Sequence, residues 1–73
     1  MQYDFHTANT IGELFFLRGI ERIDAYAMIE RLAFHKYTFC KAAETAFRDR
    51  AARTYDRWIE VDPKGFGRMK GRP

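Results

Sequence analysis

The sequence is short of the features that usually announce a chemistry. Its single cysteine, Cys40, cannot close an internal disulfide, which fits a reducing cytosol, and a thiol on the apolar stripe of a helix reads as a small core residue rather than a nucleophile. His6 and His35 stand far apart with no paired C-x-x-C or H-x-x-x-H spacing, so no metal site is expected. The glycines of Gly65-Phe66-Gly67 lack the strand-then-helix setting of a phosphate loop. No apolar run approaches the roughly 20 residues of a membrane span. The opening MQYDFHTANT has no basic stretch followed by an apolar one, so no secretory signal is expected. Together these absences point away from catalysis, cofactors and membranes.

What is present is a chain of 73 residues, 47% apolar and 16% aromatic, too hydrophobic for a disordered polymer and long enough for one small core. Its net charge of +3 is unevenly placed. Lys64, Arg68, Lys70 and Arg72 occur with no acid in residues 64–73, which leaves 9 basic and 10 acidic residues, a net of −1, in residues 1–63. The body is balanced and the end is basic, whereas a compact nucleic-acid-binding domain usually carries its excess on a folded face.

Three helices are predicted. Residues 38–61, TFCKAAETAFRDRAARTYDRWIEV, place Cys40, Ala43, Phe47, Ala51, Thr54 and Trp58 on one stripe, with Lys41, Arg48, Asp49, Asp56 and Glu60 away from it, and the helix is expected over 39–61. Asp62-Pro63 ends it. Thr10-Ile11-Gly12-Glu13 matches a capping box for a first helix over 11–18, which Gly19 stops in the left-handed conformation. Asp24 is the expected N-cap of a second helix over 25–35, with Ile23 and Met28 as its hydrophobic staple. Met1 to Ala8 reads as an extended arm, and residues 64–73 as a flexible, basic, Gly-rich tail. The expected fold is all-α, a small three-helix bundle with one domain over 1–63. Its predicted core is Ile11, Leu14, Phe15, Ile20, Ile23, Met28, Ile29, Leu32, Cys40, Ala43, Phe47, Ala51 and Trp58. Glu44 with Arg48 and Asp49 with Arg53 are expected surface pairs at i,i+4.

Arg50, Arg53 and Arg57, at i, i+3 and i+7, align on one edge of the third helix, where they could meet phosphates or a partner's carboxylates, or lie solvated and neutralised by Asp49, Asp56 and Glu60. Trp58 with Tyr55 is either a partner anchor or the keystone of the core, and the core is favoured. Phe16 and Phe34 fall off their helices' main stripes and are candidates for an exposed apolar patch; with Tyr3 and Phe5 of the arm and the three arginines they are the candidate partner-binding residues. In the tail, Lys64, Phe66, Arg68, Lys70 and Arg72 combine cations with an apolar anchor, suited to RNA, DNA or an acidic protein surface. A helix-turn-helix reading would present Lys41, Glu44, Thr45 and Arg48 to a major groove. Against it, Phe39 and Cys40 occupy the tip that should meet base edges.

As a whole, a compact helical body between the arm MQYDFHTANT and the end KGFGRMKGRP resembles the small host-takeover proteins of bacteriophages, and among them the small regulators that bind bacterial RNA polymerase. That resemblance implies docking on the N-terminal part of the largest catalytic subunit, loss of promoter recognition through weakened sigma-factor attachment, and suppressed termination, in the cytoplasm of a bacterial host. It assigns no residues. The expectation is thus a non-enzymatic, monomeric binding protein whose partner is a large host complex. The alternatives are a small nucleic-acid binder using the tail and the arginine edge, and a homodimer that buries Phe16 or Phe34 against its symmetry mate.

Overall fold

The structure, a computed structural model, describes residues 5–35 and 41–70. Tyr3, Thr38, Phe39, Cys40 and Arg72, singled out above, lie outside the described residues. The chain forms α1 (Phe5–Leu17), α2 (Arg22–His35) and α3 (Lys41–Val61), followed by a 3-10 turn over Pro63–Gly65. This is the expected all-α three-helix bundle. Contacts of Asn9 with Thr54 and of Phe16 with Trp58 set α1 parallel to α3, and those of Arg22 with Asp56 and of Glu30 with Arg48 set α2 antiparallel to it. α3 is the shared spine, with α1 as its main partner and α2 along its other flank.

α1 begins at Phe5, so Phe5 to Ala8 are helical rather than an extended arm, and Thr10 lies inside the helix rather than at its cap. The local capping signal loses to packing. Ala8, Ile11 and Phe15 fall at i, i+3 and i+7, all three are buried, and burying an apolar stripe contributes more to a helix inside a protein than a cap does. The other end is as read from the sequence. Gly19 has φ +70, its N–H donates to the Phe16 carbonyl at 3.1 Å, and the Ile20 N–H donates to the Phe15 carbonyl at 3.1 Å, the paired bonds of a Schellman stop.

The first bond of α2 runs from the Ala25 N–H to the Glu21 carbonyl, so Asp24 sits in the first turn, near the positive end of the helix dipole, and not at the cap. Its inward line is Ala25, Ile29 and Ala33, each with no exposed surface. Ile23 is 83% exposed and Met28 39%, so neither the staple nor their place in the core is realised. Ile23 lies about 120° around the helix from the centre of that line, at 100° per residue, and the small alanines let α2 approach α3 on the inward side.

On α3 the fully buried line is Phe47, Ala51 and Tyr55, with Trp58 and Ile59 partly buried beside it. The inner face is rotated toward Tyr55 because α3 has to serve two neighbours at once. Tyr55 tolerates burial because its hydroxyl donates to the Ile20 carbonyl in the α1–α2 turn. Phe16, expected off the main stripe, is also fully buried. Its ring stacks on Trp58 at 5.5 Å and meets the edge of Phe66 at 6.0 Å.

Phe66 reaches Phe16 because the chain does not leave the bundle after Pro63. Residues 64–70, expected as part of a flexible tail, turn back onto the end of α1: the Gly67 N–H donates to the Phe16 carbonyl at 2.9 Å and the Met69 N–H to the Leu17 carbonyl at 2.8 Å. Carbonyls in the last turn of a helix have no partner within it, and this segment supplies one. The contact is backbone to backbone, between Gly67 (φ +75) and Gly19, where a Cβ on Gly19 would stand 2.9 Å from the Gly67 Cα. Arg68 secures the turn by an ion pair with Asp62 at 2.9 Å.

Candidate functional site

α3 sorts its charges to opposite flanks, and its packing partners decide which of them remain free. On the α2 flank, Asp56 accepts from the Arg22 Nε at 3.0 Å and from the Tyr26 hydroxyl. Arg48 lies 3.6 Å from Glu30 and 3.7 Å from Asp49. Of the acids expected to neutralise the arginine edge, Asp56 and Asp49 are therefore engaged elsewhere, while Glu60 is exposed and makes no ion pair among the described residues, and the expected pairs Glu44–Arg48 and Asp49–Arg53 are replaced by contacts to α2 and by Arg48–Asp49. The cluster perturbs its members. The hydrogen bond to Asp56, and then its charge, hold Arg22 above its ordinary range. Tyr26 is raised by its own hydrogen bond to Asp56 and then by burial, and Tyr55 is raised by burial.

On the α1 flank, Arg50, Arg53 and Arg57 do come together. They line one bank of an open groove of about 420 Å³, with Thr54 and Trp58 of α3, facing Asn9 and Glu13 of α1. A rise of 1.5 Å per residue spreads the three cations over about 10 Å. The Arg50 guanidinium lies 4.6 Å from the centre of the Phe5 ring and is oriented by that stacking. Thr54 Oγ1 donates to Asn9 Oδ1 at 2.9 Å and ties the banks together. Arg53 and Arg57 are exposed and make no ion pair among the described residues. Trp58, backed by the Phe16 ring, offers a fixed aromatic surface that is only partly covered. The groove can receive carboxylates or other anions through two unpaired forks, with an aromatic contact beside them.

The other sequence candidates separate. Phe5 is exposed beneath Arg50, and Phe34 is exposed on α2, on the face turned away from the core. Phe16 is sealed in the core and is no partner surface. Lys64 and Lys70 are exposed, whereas Arg68 is held by Asp62 and Phe66 leans on Phe16, so these residues do not act as one mobile basic tail. Arg48, which a DNA-reading α3 would present, is engaged by Glu30 and Asp49. Asn9, Glu13 and Thr54 are groove residues that sequence reasoning missed. Only the parallel packing of α1 on α3 brings them to the arginines, and no local pattern reports it.

A second groove of about 430 Å³ between α2 and α3, lined by Tyr26, Ala27, Ile29, Glu30, Arg48, Asp49 and Ala52, has its charges already paired across it. Among the described residues no group of three His, Cys, Asp or Glu side chains could hold a metal ion, and no helix is long and apolar enough to cross a membrane. No protein-family model, curated protein or solved structure matches the chain.

Proposed function

We propose that this chain is a non-enzymatic docking module whose arginine groove takes an acidic segment of a larger protein. Bacterial RNA polymerase is the partner implied by the resemblance to small phage regulators, and occupation of that enzyme inhibits initiation and suppresses termination. The observation that carries the reading is that Arg53 and Arg57, which make no ion pair among the described residues, stand beside a rigidly backed Trp58. Arg and Trp are the side chains most often found to dominate binding energy at protein interfaces. A protein segment suits this groove better than a nucleic-acid backbone does. The groove offers only about 10 Å of cation spacing, and Glu13 on the facing bank repels a continuous row of phosphates while accepting a hydrogen bond from a peptide.

The test is a two-dimensional NMR titration of the isotope-labelled full chain with bacterial RNA polymerase fragments, and separately with duplex DNA and RNA. The expected result is shifts at Arg53, Arg57, Trp58 and Asn9 with a polymerase fragment, weakened about 10- to 100-fold by Arg53→Ala with Arg57→Ala. Shifts only with nucleic acid, centred on the arginines with Lys64 and Lys70 and falling steeply with salt, would replace this reading by the nucleic-acid one. Binding to neither would overturn both.

A further inference from the structure

The outward face of α2 carries apolar residues that the bundle does not use. Ile23 is 83% exposed and Phe34 41%, and Ala27 is exposed between them. At 100° per residue these three side chains lie within about 40° of one another, with Ile23 and Phe34 turned away from the core and Ala27 at the outer rim of the α2–α3 groove, and Ile23 and Phe34 are about 16 Å apart along the axis. Asp24 and Arg31 flank this stripe on one edge. Both are exposed, they are of opposite sign, and neither makes an ion pair among the described residues. The midpoint between positions 24 and 31 falls beside Ala27. Glu30, the other charge bordering the stripe, leans toward Arg48 of α3, 3.6 Å away.

We propose that this face is the seat of a second copy of the chain, with α2 packed antiparallel on its symmetry mate across a two-fold axis at Ala27. In an antiparallel helix pair the same edge of each helix meets its own counterpart. An axis at Ala27 therefore sets Asp24 opposite the second copy's Arg31, and Arg31 opposite its Asp24, in two identical ion pairs. Ile23 then enters the space between the second copy's Ala27 and Phe34, and alanine at the axis permits the close helix approach of about 8 Å. The charge arrangement is what selects a copy of this chain over an unrelated helix, because complementarity to itself follows from the placement of two residues about one small one. The arginine groove lies on the α1 flank of α3 and remains open in such a dimer. A contact confined to one 14-residue helix per copy stays below the ~1,200 Å² of standard interfaces, which places the dimer among weak, transient associations.

The experiment is sedimentation velocity of the full chain from micromolar to millimolar concentration, with circular dichroism to establish that each variant is folded. The wild type should pass from monomer to dimer over this range. Ala27→Glu should remain monomeric, and Asp24→Arg and Arg31→Asp should each weaken association at least about tenfold, because each sets like charges against one another twice. An equimolar mixture of those two charge variants should associate again to within about threefold of wild type, since the heterodimer regains both opposite-sign pairs. A wild type that is monomeric throughout would overturn the proposal. So would association untouched by Ala27→Glu, or a mixture no tighter than its components.

Discussion

Along its α1 flank α3 meets a glycine, and along its α2 flank it meets alanines and reaches across with charged side chains. On the α1 side a Cβ on Gly12 would stand 2.6 Å from the Ala51 carbonyl and 2.9 Å from the Thr54 Cβ, so the two backbones are in direct contact, and Ile11, Phe15 and Phe16 fill the space around them. On the α2 side Ala25, Ile29 and Ala33 make a narrow apolar line, and Arg22, Tyr26 and Glu30 extend to Asp56 and Arg48. One seam is held by close packing, the other partly by polar links near water. Close packing is lost all at once when a methyl group is added, whereas exposed links are individually weak. The same asymmetry bears on function: with Asp56 bound to Arg22 and Asp49 beside Arg48, Arg53 and Arg57 on the α1 flank make no ion pair among the described residues.

The closely packed seam is most sensitive at Gly12. Gly12→Val should destabilise the chain by about 3 kcal/mol in urea unfolding, since the obstacle is backbone and α1 has to move off α3. If Gly12→Ala instead raised stability by the ~1 kcal/mol that helix propensity alone predicts, the close seam would not exist. Next in size, Gly67→Ala should cost about 1–2 kcal/mol, from the left-handed backbone it has to keep at φ +75. That variant should also lose amide protection at Gly67 and Met69, whose N–H groups hold the end of α1.

The polar seam is sharpened by pH. Tyr26 is raised by its hydrogen bond to Asp56 and then by burial, and Tyr55 by burial, so both hold their protons more tightly folded than unfolded. A raised acid stabilises the fold fully below its ordinary value near 10, and the contribution fades as pH climbs through the higher folded value. Thermal melts should therefore lose stability in the alkaline range above about pH 10, less steeply in Tyr26→Phe. Smallest is the effect of Arg53→Ala with Arg57→Ala, which should change stability by no more than about 0.5 kcal/mol while removing partner binding. A larger loss would mean that these arginines support the bundle and do not wait for a ligand.

Much of the secondary structure was legible in the residues. Gly19 marks the end of α1 and Asp62-Pro63 the end of α3, because left-handed glycine and the restriction before proline are local effects. The arginine edge was legible too, as three positions at helical spacing. Helix starts were not: Thr10 and Asp24 have capping chemistry, but their helices continue past them toward the N-terminus, α1 because Ala8 has a place to be buried. Ile23 and Phe16 exchanged roles for a related reason. Periodicity gives the angle between two side chains on one helix and says nothing about where the neighbouring helices stand, so by itself it points Ile23 inward and Phe16 outward.

By itself the sequence determined that this protein is helical, where two of its helices stop, and which cations share an edge, since each follows from dihedral preferences and spacing within one segment. Tertiary structure alone decided that Phe16 and Tyr55 are core, that residues 64–70 close onto α1, and that Arg53 and Arg57 face α1 while Asp49 and Asp56 are engaged elsewhere. Those outcomes depend on groups some 30 to 50 residues apart, Arg22 with Asp56, Tyr55 with Ile20 and Phe66 with Phe16, meeting at specific distances. Such meetings are settled by how three helices share one core, which no local pattern encodes.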